Sequence, residues 1–489
     1  MRKFESKVQL IKYEVLREVS RFAMEGTLMD KYDQISRMIE PGPKSRSRCC
    51  IYKGRAIVEE RVKLAMGGDK ENPNIIEVIE TACDECPINR FTITEACRGC
   101  LAHRCSEACP VDAIFHVGQR AYINQEKCIE CGRCRDACQY NAVSDVLRPC
   151  RGACPTKAIS IDENKKIVID NEKCIQCGVC IVKCPFGAIM DKSFIVETID
   201  LLKKSKEEKN LHLYAVIAPA VASQFKDVKI GQVITAIKKL GFHDVVEAAL
   251  GADMVALHET HEFAETIEDK KIMTSSCCPA FVSYIEKCYP EFSKNISTSV
   301  SPMIAISRLI KKMDHKAKVI FIGPCTAKKA EVNQADVKGS TEYVLTFEEL
   351  CAMIDAADIE IEKCEEDVLN NASFFGRIFA RSGGLTESIK HIIEEENIQV
   401  EFTPVTCDGI AECDKALKIA KVGRLQGNFI EGMACTGGCI GGAASLHHGP
   451  KDRKDIDKYG ELAIEKGVKD ALRVFKVDEI DLHRDFKKL

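Results

Sequence analysis

The 489-residue sequence has no long hydrophobic run. Its longest, Leu213 to Ala222, is about ten residues with Pro219 inside it, roughly half of what a membrane-spanning helix needs. No contact with a membrane is expected. Charge of one sign is lacking too: 70 Lys and Arg against 74 Asp and Glu leave a formal net charge of −4, so no global field draws nucleic acid or anionic lipid. The N-terminus has no apolar signal core ahead of a small-residue cleavage site, and a cytoplasmic location is expected. Hydrophobic residues make up 45% of the chain, enough for a sizeable core and two to four domains. The abundant residue is cysteine, with 28 copies. In a reducing compartment so many thiols point to metal or cluster ligation rather than to disulfides.

The cysteines divide the chain into regions. Eighteen lie between Cys49 and Cys184 and ten between Cys277 and Cys439. Residues 1–75 carry helical spacing (Val8, Ile11, Val15, Val19, Phe22) and then a Pro/Gly/Ser/Arg loop over 41–48, which reads as a helical cap or docking segment. Residues 76–200 are short cysteine-dense units, a ferredoxin-like α+β multi-cluster domain. Lys203 to Asn210 reads as a charged, solvated linker. From 205 to 489 the pattern is α/β: a buried strand at 213–218, an amphipathic helix with Ile230, Val233, Ile234, Ile237 and Leu240 on one face, and a strand at 318–322 running into Gly323-Pro324-Cys325. Strand ends of this kind commonly carry the site in α/β folds.

Two units have the spacing of a bacterial ferredoxin: Cys128, Cys131, Cys134, Cys138, and Cys174, Cys177, Cys180, Cys184. Three close thiolates wrap three corners of a 4Fe-4S cube and the fourth reaches another cube. On that rule Cys184 joins Cys128, Cys131 and Cys134, while Cys138 joins Cys174, Cys177 and Cys180. Zinc is disfavoured, since its sites use paired CxxC halves. Cys97, Cys100, Cys105 and Cys109 form a looser unit, and Cys150 with Cys154 repeats its tail. The alternative pairing joins the 97–109 unit to the 128–138 unit. Cys83 and Cys86 bring the set to sixteen, enough for four cubes, so two to four accessory clusters are expected. Cys49 and Cys50 read as ordinary thiols. A chain of cubes moves single electrons between a surface partner and a buried site.

Three further segments hold single cysteines that must converge: TSSCCPAF (274–281), GPCTAKKAE (323–331) and EGMACTGGCIGG (431–442). Cys435 and Cys439 are four apart, so a helical turn would put both thiolates on one face. In order and spacing these segments resemble the signatures of the iron-only (FeFe) hydrogenases, over roughly residues 120–450. The resemblance implies that Cys278, Cys325, Cys435 and Cys439 bind a 4Fe-4S cube, with Cys439 bridging to a two-iron unit carrying CO, cyanide and azadithiolate, together the H-cluster. It implies that Lys328 pairs with a cyanide ligand and that Cys277 donates protons, relayed by Glu259, Ser297 and Glu262. Glu259 and Glu262 are three apart, on one helix face.

By the same resemblance Ser301, Met433, Ala220, Gly323 and Met303 line the cofactor pocket. Ala220, Gly323 and Met303 stand where better-known members carry serine, methionine and glutamine, and Gly441 to Ser445 (GGAAS) replaces the usual GGGQP. Such changes remove hydrogen bonds or packing around the two-iron unit. Cys288, Cys351, Cys364, Cys407, Cys413 and the histidines, His447 and His448 included, read as structural or surface residues. The implied activity is reversible reduction of protons to dihydrogen, with ferredoxin or a similar one-electron carrier as partner and maturation proteins to load the cofactor. The alternatives are a hydrogen-sensing relative with slow turnover, and an iron–sulfur assembly or electron-transfer protein without the two-iron unit.

Overall fold

A computed structural model describes residues 4–84, 86–208 and 210–484. The chain opens with helix Lys7–Glu25, started by Ser6, whose hydroxyl accepts from Gln9 N, and stopped at Gly26, where φ is +76°. Its buried stripe includes Val15, Leu16 and Val19, as the spacing predicts. The helix straddles both later domains. Lys12 Nζ reaches Asp191 of the cysteine-rich region at 2.7 Å and Glu348 of the α/β domain at 2.8 Å, and Lys329 Nζ reaches Asp191 at 2.8 Å and Glu349 at 2.7 Å. Burial alone would raise the Asp191 carboxyl, but the two lysines outweigh it and hold it low.

Eight strands build the cysteine-rich region: β1 (Ile76–Val78), β2 (Phe91–Ile93), β3 (Ile114–Val117), β4 (Arg120–Ile123), β5 (Val143–Asp145), β6 (Ile159–Ile161), β7 (Ile167–Ile169) and β8 (Ile189–Asp191). They pair antiparallel as β1–β8, β6–β7, β2–β5 and β3–β4. The order is nested. A complete module, β2 to β5, sits inside a connection of the module made by β1, β6, β7 and β8. The insert's ends meet, with Val146 N–H donating to Arg90 O at 2.7 Å.

The expected solvated linker is corrected by the structure: helix Ile195–Glu207 runs through most of it, because Lys and Glu are good helix formers and Lys203 Nζ caps Ala23 O at 2.6 Å. Seven strands follow: β9 (His212–Ile217), β10 (Asp244–Glu247), β11 (Met273–Thr274), β12 (Ala317–Gly323), β13 (Tyr343–Thr346), β14 (Pro404–Asp408) and β15 (Phe429–Met433). They form two parallel sheets, β10-β9-β12-β13 and β11-β15-β14. Helices Ile230–Leu240, Ala248–Lys270 and Pro302–Met313 cover them, burying Val233, Ile237, Met254 and Ile306. The carboxyl ends of β9, β11, β12 and β15 lead into Pro219, Cys277-Cys278, Pro324-Cys325 and Cys435. No described helix is long and apolar enough to cross a membrane.

Candidate functional site

The inner ferredoxin-like module repeats one local device with the outer. Each unit's last cysteine accepts a hydrogen bond from the backbone N–H four residues on: Ala113 to Cys109 (3.2 Å), Ala142 to Cys138 (3.4 Å), Ala158 to Cys154 (3.3 Å) and Ala188 to Cys184 (3.3 Å). The preceding residue turns the chain with positive φ each time, at Asp112, Asn141, Lys157 and Gly187. Donors aimed at a thiolate sulfur are among the means by which a protein tunes a cluster.

These turns gather the thiols into four groups. Cys109 lines a crevice of about 20 Å³ with Cys128, Cys131 and Cys134. The Cys105 thiol is pushed up by burial and by Cys138 and Cys100, and Cys97 packs in the same cluster. Cys154 lines a second crevice of about 20 Å³ with Cys174, Cys177 and Cys180, where burial lifts Cys177 to about 12. Cys150 is pushed up to about 11 by burial and by Cys184, Cys83 and Cys86. Pairing on the rule for consecutive ferredoxin units is therefore corrected: Cys184 faces Cys83, Cys86 and Cys150 instead of the 128–134 unit, and Cys138 faces Cys100 and Cys105. The alternative, joining the 97–109 and 128–138 units, matches the geometry. Insertion of one module into the other is the cause.

The three α/β segments converge as their order requires. Burial pushes Cys435 well above the ordinary thiol range, with Cys325, Cys278 and Cys439 adding to it, and lifts Cys439 to about 12 and Cys325 to about 11. Such a crowd of half-buried thiols, each raising the others, is a donor set suited to a cationic cluster. The helical turn expected between Cys435 and Cys439 is absent. Gly437 and Gly438 have φ of +87° and +85° and reverse the chain, and a 3-10 turn starts only at Cys439. Cys435 also feels the charge of Cys177, which places the 174–180 group beside that of Cys278, Cys325, Cys435 and Cys439.

A cavity of about 60 Å³ adjoins Cys325 and Cys439, walled by Cys277, Lys328, Met303, Met433, Phe321 and Phe379. The larger cleft, about 460 Å³ between Cys174 and Lys287, is open, and of the three α/β segments it touches only Pro279, Ala327 and Ala330. The small cavity is the candidate site because the thiols and the buried cation meet there. Flexible Met303 and Met433 can adjust to a bound group. Of the other expected lining residues, Ala220 is buried behind Pro219, Gly323 beside Pro324, and Ser301 beside Pro302. A Cβ at Gly323 would stand 2.6 Å from the Phe321 ring. The packing expected to be lost at Gly323 is supplied by that ring, two residues back on the same face of β12.

Lys328 is 7% exposed; its Nζ lies 3.1 Å from Ser301 Oγ, 3.4 Å from Glu331 Oε2 and over the Phe321 ring. Burial alone would lower it, but Glu331 and the thiolates of Cys325 and Cys439 outweigh burial and raise it. Cys277 is pushed well above the ordinary range by burial, then by Glu259 and Cys278. Fully buried Glu259, on helix Ala248–Lys270, accepts at Oε1 from Ser276 N and Oγ, both 3.0 Å, while its Oε2 has no partner. Burial, with Glu262 adding, lifts its carboxyl to about 7. Ser297 Oγ donates to Glu262 Oε2 at 2.8 Å, and Lys270 Nζ sits 2.9 Å from Glu262 Oε1. Sequence reasoning passed over Ser276, Phe321, Glu331 and Lys270. The first three lie in or beside the cysteine segments, where the quoted motifs held the signal.

Residues 211–443 match the family model "Iron only hydrogenase large subunit, C-terminal domain". Residues 121–144 match a 4Fe-4S binding domain and 142–195 the LdpA Fe-S cluster-binding domain. Iron hydrogenase 1 of Clostridium pasteurianum is 28% identical over 407 residues, 71% of this chain and 69% of that one. A probable cytosolic Fe-S cluster assembly factor of Anopheles gambiae is 25% identical over 262 residues, 43% of this chain and 55% of its own. A solved [FeFe]-hydrogenase structure concerned with oxygen inactivation of the H cluster 2Fe subcluster superposes at TM-score 0.50 with 17% identity, covering 60% of this chain and 98% of that one, a likeness of fold. The hydrogenase domain spans all four converging cysteines and iron–sulfur domains precede it, so the chain is an FeFe-hydrogenase-like protein.

Proposed function

We propose that the chain is an iron-only hydrogenase interconverting two protons and two electrons with dihydrogen, supplied through its 4Fe-4S clusters by an external one-electron carrier. One arrangement carries the reading: four half-buried thiols from three segments, beside a cavity whose wall adds a buried non-ligand thiol, Cys277, and a buried cation, Lys328. A protein that holds only a cube needs neither. Cys278, Cys325, Cys435 and Cys439 would hold the cube, with Cys439 shared with a two-iron unit in the cavity, loaded by maturation proteins. Bound there, that unit supplies the metal centre where protons and electrons combine. Lys328 offers its charge to anionic ligands, and Ser301 with Glu331 fixes its Nζ.

Protons travel along this chain's own groups. Burial keeps the Cys277 thiol protonated at neutral pH, so it passes a proton inward only as it takes another from Glu259. Ser276 pins Glu259 Oε1, leaving the partnerless Oε2 as the oxygen that takes and gives the proton. Ser297 and Glu262 continue toward Lys270 and solvent. Apolar walls exclude water from the rest of the site.

A second reading, a hydrogen-sensing relative with slow turnover, is favoured by Ala220, Gly323 and Met303, whose side chains offer no hydroxyl or amide to a bound group. Infrared spectra of anaerobically matured protein, taken with dihydrogen turnover, decide. Iron-bound CO and cyanide bands with rapid turnover support the hydrogenase. Bands with slow turnover favour the sensor. No bands would leave an iron–sulfur assembly or electron-transfer protein.

A further inference from the structure

We infer that Arg61, with Arg48 beside it, is the counter-charge of a cube held by Cys83, Cys86, Cys150 and Cys184, and that the arginines around this cube give it the highest reduction potential of the accessory set. An electron entering the chain then settles there. The inference deepens the 4Fe-4S part of the proposed function and rests on that part, not on hydrogen chemistry.

Five arginines are buried among the described residues: Arg61, Arg148, Arg377, Arg381 and Arg484. A buried guanidinium is costly unless an opposite charge meets it. Three of the five meet carboxylates. Arg377 lies 2.8 Å from Glu247, Arg381 2.8 Å from Glu387 and 2.6 Å from Asp457, and Arg484 2.7 Å from Asp336. Arg61 and Arg148 pair with no carboxylate among the described residues, and both stand on the same thiol group. Arg148 Nη1 is 3.7 Å from Cys83 Sγ. Arg61, on helix Ile51–Ala65, donates through Nη2 to Gly187 O at 3.1 Å, in the turn whose Ala188 N–H bonds Cys184 Sγ, and its buried Nη1 has no partner. The fit is close: a Cβ at Gly187 would stand 2.5 Å from Arg61 Nη2.

Arg48 is half-buried and donates through Nη2 to Phe186 O at 2.8 Å; its Nε has no partner, and Cys86 feels its charge. The acids on either side are committed elsewhere. Glu40 accepts from Ser45, Ser47 and Arg46 N, and Asp84 is 2.8 Å from Lys53. Orphaned guanidinium nitrogens beside a thiol group, with no carboxylate to meet them, fit an anionic cube. The N-terminal helical segment thus supplies charge to a cluster to which it gives no ligand. Reduction brings one electron from the external carrier, with no bond made or broken, so each fixed cation favours the reduced state, and burial keeps salt from screening it. Around the other accessory groups the cations are exposed or matched. Arg98, Arg104, Arg133 and Lys287 are exposed, while Arg90 meets Asp145 and Arg135 meets Asp136.

A redox titration of the anaerobically reconstituted full chain, followed by electron paramagnetic resonance, reads each cube without needing dihydrogen. The first cube reduced as the potential falls should be this one, so Cys86→Ser should alter the first signal to appear. Arg61→Met should lower the reduced-to-oxidised ratio of that cube at least about tenfold at fixed potential, a shift of about 59 mV for one electron, and move the other cubes less. Arg61→Lys, which keeps the charge, should stay near wild type. Arg48→Gln should shift the same step in the same direction by less, and it decides the matter if Arg61→Met fails to load iron. A first step unmoved in the arginine variants at full iron content, a shift in Arg61→Lys as large as in Arg61→Met, or a first signal indifferent to Cys86→Ser would overturn the inference. These shifts in a chain without hydrogen chemistry would overturn the hydrogenase reading alone.

Discussion

Glu259→Gln probes the proton path at the residue where the structure sets a pH. Burial moves the carboxyl from the ordinary 4.5 to about 7, with Glu262 adding and hydrogen bonding from Ser276 and Ser297 opposing. That shift is an ionisation cost of roughly 3 kcal/mol. Because the folded value lies above the unfolded one, the stability is fully present below about 4.5, drains away as pH rises, and is gone above about 7. Glutamine keeps an oxygen for the two 3.0 Å bonds from Ser276 but puts an amide NH2 where Oε2 has no partner, which costs about 1–3 kcal/mol. The variant should therefore be less stable than wild type at pH 5 and equal or more stable at pH 8, the difference between them moving by roughly 3 kcal/mol. Turnover should fall about 10²- to 10⁴-fold, because an amide cannot carry the proton, while iron content and CO/cyanide bands survive. Denaturant midpoints at several pH values, with viologen-driven hydrogen evolution, make the measurement. A stability difference flat from pH 5 to 8, or full turnover with intact bands, would refute the reasoning.

The nested modules predict that residues 89–146 can be excised with a short glycine bridge, since Arg148 Nε already holds Pro87 O at 3.1 Å and the insert's ends are hydrogen-bonded; iron should drop by about eight from a full load of about 22, with viologen-driven turnover retained. Loss of more than two cubes' worth of iron would contradict the grouping of Cys184 with Cys83, Cys86 and Cys150. At the pocket, Gly323→Met should cut turnover through collision with Phe321, and Phe321→Ala alone should cut it by opening a void; combined, they should recover at least tenfold over Gly323→Met, a coupling of roughly 1.4 kcal/mol plus the penalty of Phe321→Ala alone. Purely additive effects at equal iron content would show that the ring does not stand in for the missing side chain.

The three cysteine segments of the α/β domain were legible because each is a short, contiguous string whose cysteines keep their places whatever the intervening loops do. The same holds for β9, the helix Ile230–Leu240 and β12, where β-branched runs and a one-sided apolar stripe agree with the packing. What was not legible was order in space. Cys128 to Cys184 reads as two consecutive ferredoxin units, but partner choice depends on β1 pairing with β8 across more than a hundred residues, and no local pattern records that. The turn at Gly437 and Gly438 escaped for another reason. Spacing of four suits a helix, and only the backbone shows both glycines at positive φ. Phe321 escaped because it looks like any strand residue until the missing side chain at Gly323 gives its ring a place to go.

The nesting also has a physical consequence for electron flow. Inserting a module into a connection whose ends already touch adds little closure entropy, so two cubes can be attached to the outer pair without disturbing it. The whole insert then hangs on one root. Arg148, 3% exposed, binds Pro87 O at 3.1 Å, Lys165 O at 2.9 Å and, through Nη1, Cys83 Sγ at 3.7 Å. The residue that closes the insertion is therefore also a fixed positive charge on a thiol of the first cube group that electrons from the insert would meet. In the proposed arrangement a cation there would favour the reduced state of a cube held by Cys83, Cys86, Cys150 and Cys184, so the base of the insert would tune the potential of that cube.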